Sequence, residues 1–139
     1  MNNKKDSEKV GGTHNKKIRG DFGEAAVCTY FEKRGYAVVK RNYRKRVGEV
    51  DIIATLGESV VFVEVKTRKF GSLTDGIDSV TRTKRRRIVK TAKLFLDENP
   101  QYNVMDVRFD AAQVVVTTDE IPQLIELDYY EDAFNSMLL

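Results

Sequence analysis

Apolar residues recur at Ile18, Phe22, Ala25, Ala26 and Tyr30, the 3.6-residue period of an amphipathic helix that ends at Gly35. Val27, Cys28 and Phe31 form a second apolar stripe beside Glu24, so this helix is expected to be packed on two sides. Residues 1–16 mix Asn, Lys, Ser, Gly and Thr without periodicity and are expected to form a flexible polar tail that includes His14. Residues 36–39 read as a strand, followed by a basic run over 40–46 and a turn near Gly48; residues 49–55 and 60–67 read as two further strands. A loop is expected over 68–76. Asp78 or Ser79 can cap a helix that runs to Glu98 and stops at Asn99-Pro100. Its inner face holds Thr81, Ile88, Ala92, Phe95 and Leu96, with Arg85 inside the apolar arc, while Arg82, Arg86, Lys90 and Lys93 form an outer stripe. Residues 104–116 and 124–130 read as strands around a turn at 117–122. The order α-β-β-β-α-β-β predicts one α/β domain over residues 17–139, with a mixed central β-sheet flanked by helices.

Two polar positions interrupt this pattern. With Gly57-Glu58 as a two-residue turn, Gly first, Asp51 falls across from Glu64 and Glu49 across from Lys66. Opposed Cβ atoms lie about 5 Å apart, and like charges so placed are destabilising. Glu64 and Lys66 share a face with Val60 and Phe62, while Val61, Val63 and Val65 take the other. Both faces are largely apolar, as in a central strand, so Glu64 is expected to be at least partly buried. Two adjoining carboxylates of this kind either raise the proton affinity of one of them or share a divalent cation through hard oxygen ligands. The alternative is a solvated strand face on which Glu64 and Lys66 pair with neighbours. Glu24 is likewise open to two roles, as part of an Asp21-x-x-Glu24 capping box or as part of a metal shell.

Composition narrows the chemistry. A length of 139 residues with 41% hydrophobic residues suffices for a single core. One cysteine excludes an internal disulfide, one histidine excludes a Cys/His zinc cluster, and Cys28 is expected to pack. No apolar run approaches the roughly 20 residues that span a bilayer, and the start is polar, so the expected setting is cytoplasmic and away from membranes. Net charge is only +3, yet residues 33–93 carry 17 Lys and Arg against 6 Asp and Glu, while residues 94–139 carry 1 against 10. Such polarisation suits one face for a polyanion, or opposite charges that interleave on folding.

An aspartate on one strand, Glu64-Val65-Lys66 on the next and flanking basic segments resemble the PD-(D/E)xK nuclease superfamily, whose signature proline is replaced here by Val50. Gly23-Glu24 with Ala25-Ala26, Gly35-Tyr36, Arg41-Asn42-Tyr43-Arg44, Gly48-Glu49-Val50-Asp51, the strand from Val61 to Arg68, and Thr83-Lys84-Arg85-Arg86-Arg87 together resemble the bacterial YraN-like family over about residues 18–112. The resemblance implies a restriction-endonuclease-like fold related to the Holliday junction resolvases. The segment GSLTDGIDS departs from the family's usual loop. Val107-Arg108-Phe109-Asp110 keeps its late strand, and the acidic end is peculiar to this chain or its near relatives.

What the resemblance implies is metal-dependent phosphodiester hydrolysis on branched or otherwise structured DNA. Asp51 and Glu64, with Glu24 and the main-chain carbonyl of Val65, would hold Mg²⁺ or Mn²⁺, and Lys66 would position water or stabilise developing charge. Glu49 would support the site and Arg85 would brace the carboxylates. Arg44, Lys45, Arg46, Arg68, Arg82 and Arg86 would clamp the nucleic-acid backbone, and Tyr43 would pack or stack on an unpaired base. A homodimer is left open. The alternative is a non-catalytic or partner-dependent nucleic-acid-binding module on the same fold, and a weaker one is a protein-interaction domain whose acidic end meets a basic partner.

Overall fold

A computed structural model describes residues 2–72 and 81–134, with the backbone alone for 2–14. Its elements are α1 (Asn2–Glu32), β1 (Ala37–Lys45), β2 (Gly48–Leu56), β3 (Ser59–Lys69), α2 (Arg82–Glu98), β4 (Asp106–Val116) and β5 (Leu124–Tyr130). The order is α-β-β-β-α-β-β, a mixed α/β architecture with two helices. The five strands form one sheet in the order β1-β2-β3-β4-β5, antiparallel except for the parallel pair β3 and β4. Among the described residues no helix is long and apolar enough to cross a membrane.

β3 is the middle strand, as its two apolar faces predict, and each face meets one helix. Val61 and Val63, with Ile52, Ala54, Ala112 and Val114, pack against Val27 and Phe31 of α1. Val60 and Phe62, with Ile53 and Phe109, pack against Ile88, Val89, Ala92 and Phe95 of α2. Phe134, beyond β5, stacks on Phe109 with ring centroids 5.4 Å apart and closes this second cluster. The sheet is therefore a filling between two helical layers.

Several local expectations are corrected. The backbone from Asn2 onward is helical where a tail is expected over 1–16: no proline interrupts residues 2–32, and the helix continues upstream from its packed half. The most deeply buried face of α1 is Gly23, Glu24, Val27 and Phe31, the second of the two expected stripes; Phe22, Ala26 and Tyr30 of the first pack at its border, while Ala25 is exposed. Gly23 sets that rotation, because a Cβ there would collide with Thr67 Oγ1 on β3, so the helix backbone lies against the sheet. β1 runs through the basic residues 40–45 instead of ending at 39; as an edge strand with only Tyr43 buried, it carries no apolar alternation. Thr81 is the N-cap of α2, its hydroxyl accepting from the Lys84 N–H at 3.2 Å, and is exposed instead of facing the core. Asp78 and Ser79 lie outside the described residues. β4 begins at Asp106, after a 3-10 turn at Pro100–Tyr102.

A buried polar network ties the α1 face to the far edge. Asp110, fully buried, accepts from Arg108 Nε at 2.9 Å and Nη2 at 2.8 Å, from Tyr129 Oη at 2.5 Å and from the Asp132 N–H at 2.9 Å. Arg108 Nη2 also donates to Tyr36 Oη at 2.8 Å. Burial and the adjoining Asp110 carboxylate push the Tyr129 hydroxyl upward, so it stays a donor. With four donors converging on the buried Asp110, this network fixes packing.

Candidate active site

The β2–β3 hairpin has the register that a two-residue turn at Gly57-Glu58 dictates: Leu56 pairs Ser59, Thr55 pairs Val60, and the ladder continues to Ile52 and Val63. Gly57 supplies the positive φ of 56° that the turn requires. The ladder stops one step before Asp51 and Glu64. β2 continues on its other side with β1, pairing Val50 with Tyr43 and Glu49 with Arg44, while β3 continues with β4, pairing Glu64 with Ala111 and Lys66 with Gln113. Each strand is held by its outer neighbour as the two part, and the wedge between them is filled by carboxylates. Val65 N–H, which has no β2 carbonyl opposite, donates to Asp51 Oδ2 at 2.8 Å. Asp51 and Glu64 line one cavity, and the charge of Glu64 acts on the Asp51 carboxyl.

This wedge opens into a cavity of about 340 Å³ on the α2 side, lined by Glu49, Asp51, Glu64, Lys66, Lys84 and Arg87. Burial first, and the charge of Glu64 second, push the Asp51 carboxyl up to about 8 against the pull of the Val65 N–H. At neutral pH the Asp51 carboxyl therefore keeps its proton. Burial lowers the Lys66 ammonium, with the like charge of Lys84 adding to it and the two carboxylates opposing. Lys84 Nζ stands 3.5 Å from Glu64 Oε1.

Glu24 approaches from the α1 side and is buried. Its Oε2 accepts from Asn42 Nδ2 at 3.2 Å and faces Arg41 Nη2 at 3.6 Å, and burial raises its carboxyl despite both partners. Asn42 makes this contact from a left-handed backbone, φ 53°, that asparagine tolerates better than most residues. Glu24 is near enough for its charge to act on Asp51, yet among the described residues no three Asp, Glu, His or Cys side chains gather as a metal cage. Two side-chain carboxylates and main-chain oxygen form a donor set that fits a hard divalent ion completed by water, which would take the place of the Asp51 proton.

The basic residues separate by their partners. Arg44 Nε is held by Glu49 at 3.0 Å, and Lys45 Nζ by Glu98 at 2.8 Å. Arg68, half-buried, donates to the Ser72 carbonyl at 3.3 Å. Arg46, Arg82 and Arg86 are exposed. Arg85 is placed beside the Phe134 ring, 6.0 Å from its centroid, and it is Lys84, not Arg85, that reaches Glu64. Tyr43 is packed, its ring edge-on to Phe95 and its hydroxyl donating to Glu98 Oε2 at 3.0 Å, so it is not offered for base stacking. Cys28 is half-buried beside the α1 cluster.

Lys84 and Asn42 are the site residues to which sequence reasoning assigns no role. The signal for Lys84 is its helical spacing from Ile88, Ala92 and Phe95, which puts it on the inner face one turn before the core begins. For Asn42 the signal is a single uncharged turn-former inside a basic run.

The model of the uncharacterised protein family UPF0102 matches residues 23–114, from the glycine that seats α1 to the core of β4, and so contains every residue of the wedge. A UPF0102 protein of Treponema pallidum is 39% identical over 126 residues, covering 90% of this chain and 98% of its own. UPF0102 proteins of Caldicellulosiruptor saccharolyticus and Clostridium perfringens are 34% and 37% identical, covering 86% and 87% of this chain and 99% and 96% of their own. By family match and by near end-to-end similarity to these relatives, the chain belongs to the UPF0102 family.

Proposed function

We propose that this protein is a metal-dependent nuclease of the PD-(D/E)xK type, with a restriction-endonuclease-like core, that cuts structured DNA in the manner of a Holliday junction resolvase. One observation carries the reading. Asp51 and Glu64 meet where two strands part, and Lys66, two residues along the same strand, lines the same cavity. A buried Glu64 carboxylate beside a half-buried Asp51 is costly unless a cation satisfies the pair. The element order and the mixed sheet agree with the proposed core.

Asp51, Glu64 and the Val65 carbonyl would hold Mg²⁺ or Mn²⁺, which when bound neutralises charge on the phosphate and lowers the pKa of water. Asp51 is oriented for this by the Val65 N–H, which fixes one of its oxygens. Lys66 Nζ orients the attacking water and stabilises charge that grows on the phosphate; its lowered proton affinity makes proton transfer at this nitrogen easier near neutral pH. Lys84 holds Glu64 in place from α2. Glu24, held by Arg41 and Asn42, adds negative potential behind Asp51.

The second reading, a nucleic-acid-binding module without turnover of its own, is favoured by the engagement of Glu24 with Arg41 and Asn42 and of Glu64 with Lys84. A panel of four-way junction, flap, single-stranded and duplex DNA, with RNA, in Mg²⁺ and Mn²⁺ separates the two. The nuclease reading expects cleavage of at least one branched substrate and a loss of about a hundredfold or more in Lys66→Ala with binding retained. Binding without cleavage of any substrate in either metal would favour the binding module, and equal cleavage by wild type and Lys66→Ala would indict a contaminant.

A further inference from the structure

Beside the carboxylate cavity lies a second one of about 480 Å³, lined by Lys45, Arg46, Val47, Gly48, Arg87 and Lys90. The two share Gly48 and Arg87. Among the described residues no acidic residue lines the second cavity, whereas Glu49, Asp51 and Glu64 line the first together with Lys66 and Lys84. Across the width of Arg87 the lining thus changes from mixed charge to cationic.

The cations of the cleft also differ in their pairing from most of those elsewhere in the fold. Arg41, Arg44, Lys45, Lys84 and Arg108 each have a carboxylate within ion-pair distance. Among the described residues Arg46, Arg87 and Lys90 have none, although they border one cavity. Like charges held together without a counter-charge repel one another, and an anion between them relieves that repulsion. The walls are close-fitting: a Cβ on Gly48 would stand 2.9 Å from Thr91 Oγ1 and 3.0 Å from the Arg87 Cβ, so the β1–β2 turn is seated directly on α2. Thr91 Oγ1 in turn donates to the Arg87 carbonyl at 2.7 Å, within the same turn of helix.

We propose that this cleft is a phosphate subsite for the substrate strand, taking a phosphodiester next to the one that is cut, with Arg46, Arg87 and Lys90 as its ligands. The inference rests on the nuclease reading for what occupies the neighbouring cavity. It adds that the substrate is an oligonucleotide whose recognition includes at least one uncut phosphate, held through its charge and without sequence reading.

The test is binding of a short duplex in EDTA, where no cleavage intrudes, over a series of salt concentrations. The proteins are wild type, Arg46→Ala/Lys90→Ala, and Lys16→Ala/Lys17→Ala on α1 as a control for bulk charge. The expected result is about a tenfold or greater loss of affinity at low salt in the cleft variant, with the slope of log K against log salt shallower by about 0.9 for each phosphate that is no longer neutralised, and less than about a twofold change in the control. Thermal melting of each variant verifies that the fold is kept; if the double variant unfolds, Arg46→Ala alone, on the exposed turn, gives the same reading with half the slope change. A cleft variant with the affinity and slope of wild type, or a control that loses as much, overturns the subsite. If the subsite passes and wild type cuts nothing, the cleft stands as a phosphate site and the nuclease reading falls.

Discussion

Replacing Asp51 by asparagine should stabilise the metal-free protein. A free aspartate ionises near 3.8, whereas the folded chain keeps the Asp51 proton up to about 8, because the site is buried and Glu64 adjoins it. Between those values the unfolded chain has lost a proton that the folded chain retains. Stability therefore falls as pH rises, by about 1.4 kcal/mol for each pH unit, and the loss is complete above the folded pKa. By pH 7 the accumulated penalty is of order 4 kcal/mol, and below about pH 4 it is absent. Asparagine at 51 carries no charge, can accept from the Val65 N–H through its amide oxygen, and can donate to Glu64 through its amide nitrogen. Asp51→Asn should thus melt about 10 °C above wild type in EDTA near pH 7.5, taking roughly 3 to 5 °C per kcal/mol for a chain of this size and part of the penalty as recovered. The gap should close as the pH falls toward about 4. Calorimetry across that range decides: an Asp51→Asn protein less stable than wild type near pH 7.5, or a gap that does not change with pH, would refute the retained proton on Asp51. Saturating Mn²⁺ should narrow the gap, because the wild type gains more of the binding energy of the ion.

Lys84→Met should bind Mn²⁺ several-fold more tightly than wild type, since the ion no longer competes with an ammonium 3.5 Å from Glu64; unchanged affinity by calorimetry would remove Lys84 from the site. Gly23→Ala should cost about 1 to 3 kcal/mol in urea unfolding, because the added Cβ meets Thr67 and displaces α1; a neutral effect would mean that α1 does not pack there as described. Asp110→Ala should cost about 3 to 5 kcal/mol, since it leaves Arg108 and Tyr129 without their acceptor; a loss below about 1 kcal/mol would contradict the network.

The features legible from sequence were those decided by short-range chemistry. Gly57 and the alternation of valines around it determine the hairpin register, and the spacing of Ile88, Ala92 and Phe95 determines which side of α2 faces the sheet. What escaped depends on partners remote in sequence. The parting of β2 from β3 after Ile52 and Val63 requires β1 and β4 to hold the two strands separately, and nothing local in residues 48–69 announces a parallel β3–β4 pair. Both apolar stripes of α1 were legible, but which of them is the deeper follows from Gly23 meeting Thr67, a contact between residues 44 positions apart. Lys84 and Asn42 had recognisable positions but gained a role only when the fold set them beside Glu64 and Glu24. The cations that pair with carboxylates could not be told from those that do not: Lys45 and Arg46 are neighbours in the basic run, yet only Lys45 meets Glu98.

Asp51 and Glu64 are proposed to form a divalent-ion site in which Asp51 keeps a proton in the ion's absence. Titration of Mn²⁺ into wild type, Asp51→Asn and Glu64→Gln near pH 7, by calorimetry in two buffers of different ionisation enthalpy, measures both parts of that claim at once. The predicted result is about one ion per wild-type chain with about one proton released on binding, and binding weakened by about a hundredfold in either variant. Absence of Mn²⁺ binding to wild type, or binding that either variant leaves unchanged, would contradict it.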